Sequence, residues 1–103
     1  MLVIGAGAIG LLAALLLKSH GVTMTVLETN EARHSCVKDH VGVNPVNPIT
    51  DSVKEDTYDV VIDCVGSEKT NALSVSSVRA GGVVVNVGML SWSSNIDIRK
   101  ITL

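Results

Sequence analysis

The stretch MLVIGAGAIGLLAALLLKS, residues 1–19, decides the fold of this chain. Its opening apolar run ends at Gly5, which is typical of a strand buried on both faces. Residues 8–19 are mostly Leu and Ala, which are strong helix formers. Lys18 and Gly21 then supply the cation and the glycine that are common at a helix C-terminus. The stretch therefore predicts a strand, a tight glycine turn and a helix.

The same stretch is uncharged over residues 1–17, a property that it shares with signal peptides and membrane helices. A secretory signal has a cationic n-region and a small-residue cleavage site, and neither is present here. A spanning helix takes about 20 apolar residues, whereas Gly5, Gly7 and Gly10 interrupt this run. We therefore expect no membrane partner.

The rest of the chain alternates between strand and helix signals. Further strands are expected where β-branched residues cluster, over residues 22–27, 42–45, 59–65 and 83–87. Further helices are expected over residues 31–39 and 68–78, with one or two helical turns within 50–57 and a turn at 80–82. Asn30 and Ser67 are the expected N-caps, because their short side chains accept hydrogen bonds from first-turn N–H groups.

Val-rich strands that alternate with helices predict a doubly wound α/β fold of the Rossmann type, a parallel sheet with helices on both faces. A chain of 103 residues with 47% hydrophobic residues is one domain's worth of polypeptide. About five strands are expected, whereas a complete fold of this type has six. Residues 96–98 and 101 are only weak strand candidates. We therefore expect one domain over residues 1–103 in which the last of the six strands is missing.

Composition excludes several classes of function. The formal net charge of -2 and the absence of a basic stripe argue against a nucleic-acid partner, and so does an aromatic content of 2%. Cys36 and Cys64 fit neither a disulfide framework nor a metal-ligand spacing. We interpret them as reduced thiols of a cytoplasmic protein.

The sequence predicts no catalytic residue and no metal ligand. His20, His34 and His40 pair with no cysteine at a metal-ligand spacing and are expected at the surface. Asp59 and Asp63 flank a strand without a partner base, so they are not expected to take part in catalysis.

The turn between the first strand and helix matches the pattern G-x-G-x-x-G with residues Gly5, Ala6, Gly7, Ala8, Ile9 and Gly10. Its first glycine permits a tight turn, its second lets the backbone approach a pyrophosphate, and its third allows close packing of the helix. Free N–H groups at the helix N-terminus favour the phosphate charge. Glu28 follows at the end of the next strand, close to the ~20-residue spacing expected for the acidic partner of a dinucleotide ribose.

Glu28 also favours NAD over NADP. A carboxylate accepts hydrogen bonds from a ribose 2′-hydroxyl, whereas it repels a 2′-phosphate by on the order of 1 to 4 kcal/mol. Arg33 has two interpretations at this stage: it lies against the adenosine, or it is a solvated helix residue.

Residues 1–89 resemble the cofactor-binding domain of zinc-type medium-chain alcohol and polyol dehydrogenases. The glycine motif carries this resemblance together with the runs DVVIDCVG, residues 59–66, and RAGGVVVNVG, residues 79–88. The resemblance implies that the adenine pocket is bordered by Cys64, Val65 and Gly66. It also implies that the nicotinamide is bordered by Val87 and Gly88, with Met89 beside them.

The resemblance further implies hydride transfer between an alcohol and NAD, assisted by a zinc ion that polarises the substrate oxygen. In that family the metal ligands belong to a catalytic domain that precedes this region. We therefore expect zinc only in that missing domain, and we expect this chain to be inactive alone.

The predicted first helix is apolar on every face, which indicates burial on more than its sheet side. We expect the catalytic domain to cover it; without that partner the chain is expected to form homo-oligomers. Two alternatives stay open: an FAD-binding flavoprotein module, which uses the same glycines with Ala14 and Glu28, and a non-catalytic oligomerising fragment.

Overall fold

The computed structural model describes residues 1–88, and Met89 and the strand candidates at 96–98 and 101 lie outside this part. Its parallel strands form one sheet in the order β2-β1-β3-β4, with β1 over Leu2–Ile4, β2 over Thr25–Leu27, β3 over Tyr58–Asp63 and β4 over Val78–Asn86. Its helices are α1 over Ala8–Ser19, α2 over His34–His40 and α3 over Glu68–Ser77, and a 3₁₀ turn over Glu31–Arg33 precedes α2. The predicted doubly wound α/β class is confirmed.

The register brings the carboxyl ends of the strands to one edge of the sheet. Ile4 at the end of β1 lies opposite Leu27 on one side and Asp63 on the other, and Asp63 lies opposite Asn86 of β4. The residues that follow these strands are therefore neighbours in space, although they are far apart along the chain. Open parallel sheets bind their ligands at this edge.

Two apolar layers cover the sheet, because successive side chains of β1 point to opposite faces. Val3 packs with Val26 and Val37 beneath α1 and α2. Leu2 and Ile4 pack on the other face, where Leu73 of α3 lies against their cluster. Each fully buried Val or Leu side chain stabilises the fold by about 1.5–3 kcal/mol.

The predicted strand at 42–45 is wrong. The described chain has only an isolated parallel bridge between Leu27 and Val46, so its sheet has four strands rather than five. Pro45 has no backbone N–H to donate to a neighbouring strand, which limits pairing before Val46. The Val46 amide donates to Val26 (2.9 Å), and the Val46 carbonyl accepts from the Glu28 amide (2.9 Å).

The helical turns expected within 50–57 are also absent from the described segment. The Asn47 side chain accepts a hydrogen bond from the Ile49 amide (3.0 Å), and the Asn47 carbonyl accepts from the Asp51 amide (2.9 Å). An Asn side chain that bonds to the backbone two residues later favours a turn over a helix.

The last described strand is longer than predicted. It begins at Val78, directly after α3, and it continues through the expected turn at 80–82. Gly81 has a φ of +77°, and the pairing register shifts between Tyr58 and Val60 of β3. The glycines therefore make an irregularity within the strand instead of reversing the chain.

Both predicted N-caps form. Asn30 Oδ1 accepts a hydrogen bond from the Ala32 amide (3.0 Å) at the start of the 3₁₀ turn. Ser67 Oγ accepts from the Thr70 amide (3.1 Å), while Thr70 Oγ1 accepts from the Ser67 amide (2.9 Å). This reciprocal pair fixes the first turn of α3 at the ligand-binding edge of the sheet.

Apolar side chains are exposed on α1 and also on β4. Ile9, Leu12 and Leu16 of α1 are 57%, 66% and 61% exposed. Val83 and Val85 of β4 are exposed as well. No helix among residues 1–88 has the length and apolar character needed to cross a membrane.

Candidate functional site

The glycine turn joins β1 to α1 with little free space. Gly5 has a φ of +93°, a conformation that L side chains rarely adopt. A Cβ placed on Gly10 would lie 1.8 Å from the Gly5 carbonyl oxygen, so the start of α1 packs directly on the end of β1. The Gly5 amide donates to the Leu27 carbonyl (2.8 Å), which attaches the turn to β2.

The N-terminus of α1 is suited to an anion. Gly7 occupies the N-cap position, no side chain caps this helix end, and its first turn holds no acidic residue. The first-turn N–H groups of an uncapped helix lack partners within the helix, and the helix dipole adds partial positive charge there. Ala8 and Ile9 in this turn are exposed, so a phosphate group can approach their amides.

Glu28 connects the glycine turn to the end of β2. Its side chain is only 6% exposed. Oε1 accepts a hydrogen bond from the Ala6 amide (2.9 Å) and Oε2 accepts from the Asn30 amide (2.9 Å). Arg33 Nη1 donates to Oε1 (3.3 Å), and His34 Nε2 donates to the Glu28 carbonyl (2.8 Å). The carboxyl group is thus held in place by donors from two sides.

These donors lower the pKa of the Glu28 carboxyl group. Burial raises the pKa of the carboxyl, but the Asn30 and Ala6 amides and the Arg33 guanidinium together outweigh burial and lower that pKa below its ordinary value. Glu28 is therefore a carboxylate at neutral pH, with both oxygens acting as hydrogen-bond acceptors.

The lowered pKa predicts an acid-sensitive fold. The stability contributed by Glu28 is expected to be fully present above pH 4.5, its ordinary pKa, and to be lost as the pH falls through the lower folded-state pKa. The reason is that the unfolded carboxyl takes up its proton first. Urea unfolding midpoints between pH 7 and about pH 3 check this. The variant Glu28→Gln is expected to show a weaker dependence, and equal dependence in both proteins would contradict the assignment.

The turns that follow β3 and β4 lie against each other at the same edge. A Cβ placed on Gly88 would lie 2.4 Å from the Val65 carbonyl carbon and 2.7 Å from that of Cys64. Val65 also lies over the glycine turn, because a Cβ on Gly5 would lie 2.7 Å from Val65 Cγ2. Burial and the negative charge of Asp63 raise the pKa of the Cys64 thiol, which keeps it neutral.

A cavity of about 680 Å³ opens beside these turns on the α3 side of the sheet. Among the residues predicted for a site, it is lined by Gly5, Glu28 and Val65. Cys64, Gly66, Val87 and Gly88 lie nearby but do not line it. Most of the other lining residues carry no signal in the sequence, because they come from the irregular segment after Val46 and from α3. They include Pro48, Ile49, Val53, Lys69 and Thr70, and Thr29 joins them from the end of β2.

Arg33 is about half exposed and is bonded to Glu28 rather than free in solvent. A Cβ placed on Gly7 would lie 3.4 Å from Arg33 Nη1, so the guanidinium lies beside the glycine turn. His34 is mostly buried, unlike the surface position expected for it, and its Nδ1 lies 3.2 Å from a Glu31 carboxylate oxygen. In the described part of the chain, no three His, Cys, Asp or Glu side chains are grouped to hold a metal ion.

The sequence is similar to those of known dehydrogenases. A family model for zinc-binding dehydrogenases matches residues 8–103. The chain is 34% identical over 102 residues to L-galactonate-5-dehydrogenase of Escherichia coli, covering 86% of this chain and 28% of that protein. It is 33% identical over 101 residues to D-altritol 5-dehydrogenase of Agrobacterium fabrum, covering 94% of this chain and 30% of that protein. The chain thus spans less than a third of the length of these curated relatives.

Solved structures share the fold. Acetophenone reductase from Geotrichum candidum in complex with NAD superposes with a TM-score of 0.86 at 24% identity, covering 97% of this chain and 29% of that one. L-Idonate 5-dehydrogenase from Escherichia coli superposes with a TM-score of 0.87 at 24% identity, covering 97% of this chain and 31% of that one.

Proposed function

Because the chain belongs to the zinc-binding dehydrogenase family, as its sequence predicted, we propose that it binds a nicotinamide dinucleotide where its strands end. One observation carries the proposal: the Glu28 carboxylate accepts a hydrogen bond from the Ala6 amide inside the glycine turn (2.9 Å). The group suited to a ribose and the turn suited to a pyrophosphate therefore form a single hydrogen-bonded unit.

The pyrophosphate would lie at the N-terminus of α1. There Ala8 and Ile9 are exposed and no side chain competes as a cap. The adenosine ribose would lie on Glu28. Each carboxylate oxygen has about two lone-pair sites. Oε1 already accepts from the Ala6 amide and Arg33, whereas Oε2, which accepts from the Asn30 amide, can still accept from a ribose hydroxyl.

The cavity beside Val65 would take the adenine. Its volume of about 680 Å³ lies within the range of small-molecule sites, and it borders Glu28 and the glycine turn. Thr29 and Thr70 add polar groups to a lining that includes Ile49. On the other side of Val65, the turn at Val87 and Gly88 would border the nicotinamide.

We further propose that Glu28 makes NAD the preferred cofactor, with NADP bound less well. A 2′-phosphate would have to approach a buried carboxylate, and like charges in such a site repel by on the order of 1 to 4 kcal/mol. Arg33 already donates to that carboxylate (3.3 Å), which leaves it less available to a phosphate.

The bound dinucleotide would supply a hydride acceptor, and the substrate class that we propose for the whole enzyme is an alcohol or polyol. Zinc does not fit residues 1–88, because no suitable group of ligands is found among them. We propose that residues 1–88 bind the cofactor, in a cytoplasmic enzyme whose catalytic domain holds the zinc and activates the substrate.

The same proposal gives the exposed apolar side of α1 a partner. Ile9, Leu12 and Leu16 project from α1, and the catalytic domain would cover them. In its absence this side of α1 would bring copies of the chain together.

The flavin-binding alternative makes a different prediction. It would be favoured by a purified protein that is yellow, the colour of a bound flavin.

The variant Gly7→Val tests the proposal. A Cβ at Gly7 meets only the end of the Arg33 side chain, at 3.4 Å, so the fold is expected to survive. The branched side chain would keep a pyrophosphate away from the backbone, and NADH affinity is expected to fall at least about 100-fold. Fluorescence titration with NADH measures the affinity, and circular dichroism checks that the helical signal is retained.

Ala72→Val is the matched control, since it places the same branched side chain at an exposed position of α3. This control is expected to bind NADH as the unmodified chain does. NADH binding that survives in Gly7→Val, or that is missing from the unmodified folded chain, would contradict the proposal and favour a non-catalytic oligomerising role.

A further inference from the structure

Asp63 is buried at the end of β3 and bonds to both of the turns described above. Its Oδ1 accepts hydrogen bonds from the Val65 and Gly66 amides, each at 2.9 Å. Its backbone carbonyl accepts from the Val87 amide (2.9 Å) and the Gly88 amide (3.1 Å). One residue therefore bonds to the turn after its own strand and to the turn after the neighbouring strand.

The other carboxyl oxygen of Asp63, Oδ2, does not bond to either turn. Oδ2 is buried and has no hydrogen-bond partner among residues 1–88. A buried oxygen without a partner opposes folding. The carboxyl group is thus poorly explained by stability alone, whereas its Oδ1 determines where two backbone amides lie.

The two turns also contact each other and the glycine turn. The backbone at Gly88 is so close to Val65 that an added Cβ would lie 2.4 Å from the Val65 carbonyl carbon. The Cys64 amide donates to the Ile4 carbonyl (3.0 Å), directly before Gly5. A shift of the turn at 87–88 would therefore be transmitted to Val65 and from there to the glycine turn.

We infer that Asp63 is a positioning residue that holds the turns at 64–66 and 87–88 as one rigid unit, so that the two halves of the dinucleotide bind interdependently. The inference rests on the proposed function, because it assumes that these turns border the adenine and the nicotinamide. It extends that function by naming a residue that contacts neither half of the cofactor but sets the position of both.

The test compares NADH with ADP-ribose, a probe that lacks the nicotinamide. Asp63→Ala removes the acceptor for the Val65 and Gly66 amides, and both probes are expected to bind about tenfold more weakly. Asp63→Asn retains an acceptor oxygen and is expected to restore most of the affinity. Asp59→Ala is the matched control, because Asp59 lies on the same strand but is exposed at its opposite end, and it is expected to bind both probes normally.

Gly88→Ala provides an independent test should Asp63→Ala lack a cooperative thermal transition. Its new methyl group would push the turn at 87–88 away from Val65. ADP-ribose does not extend to that turn, yet its affinity is expected to fall about fivefold if the turns move together.

Unchanged ADP-ribose affinity in folded Gly88→Ala, or in folded Asp63→Ala, would overturn the positioning role and leave the proposed function standing. Equal losses in Asp63→Asn and Asp63→Ala would also overturn it, because the retained oxygen would then have no effect. Failure of the unmodified chain to bind either probe would instead overturn the proposed function, and the positioning role with it.

Discussion

Replacing Gly10 with Ala is expected to reduce the free energy of unfolding by about 3 kcal/mol and to abolish NADH binding. The added Cβ would lie 1.8 Å from the Gly5 carbonyl oxygen and 2.7 Å from the Gly5 carbonyl carbon. Both are backbone atoms, so no side chain can rotate to make room. The start of α1 would have to move away from β1, which would open the turn proposed to hold the pyrophosphate. Urea unfolding and NADH titration of the variant measure the two effects.

Gly21→Ala is a control for the loss of a glycine as such. Gly21 has a φ of +71°, but a Cβ there meets nothing within 4 Å. We expect it to lose only about 1 kcal/mol, the cost of left-handed backbone for Ala, and to bind NADH normally. If Gly10→Ala were no less stable than Gly21→Ala, the close contact between turn and helix would be disproved.

The second large effect is expected from Glu28→Ala. The change leaves the buried Ala6 amide without its acceptor and also removes the partner of the Asn30 amide. An unsatisfied buried donor costs about 1–3 kcal/mol, so we expect the free energy of unfolding to fall by about 2–4 kcal/mol. NADH affinity is expected to fall at least about tenfold with the loss of the ribose acceptor.

The ratio of NADPH to NADH affinity in Glu28→Ala tests the role of Glu28 in cofactor binding apart from its role in stability. With the carboxylate gone, Arg33 is released and a 2′-phosphate meets no negative charge, so the ratio of NADPH to NADH affinity is expected to rise at least about tenfold. Titrations with both nucleotides measure this ratio. Asp39→Ala, which removes an exposed carboxylate from α2, is expected to leave it unchanged. An unaltered ratio in Glu28→Ala would show that Glu28 does not select the cofactor.

Local signals in the sequence are sufficient to predict several elements of the fold. The glycine turn, the helix at Ala8–Ser19 and the caps at Asn30 and Ser67 each depend on residues close together in the chain. The same holds for Glu28, whose place follows from the length of one strand-helix-strand unit. Here propensity and capping chemistry agree with the tertiary structure, so the sequence alone predicts the elements.

Features that depend on distant contacts were not predicted. The segment after Gly42 forms a single bridge at Val46 and lines a cavity. Its path depends on the Asn47 side chain, which donates to Glu31 and accepts from the Ile49 amide, and such bonds have no periodic signature in the sequence. The sequence alone indicates only that Asp63 is an acid beside a strand without a partner base, because its bonds to Val87 and Gly88 require β4 to lie beside β3. Strand order is a property of the sheet, and no single segment encodes it.

A crystal structure of the chain with NAD bound shows directly whether the dinucleotide lies on the glycine turn and Glu28. We expect pyrophosphate oxygens within about 3 Å of the Ala8 and Ile9 amides, and ribose hydroxyls on the Glu28 carboxylate. A dinucleotide bound elsewhere, or one that makes no contact with Glu28, would disprove the proposed site.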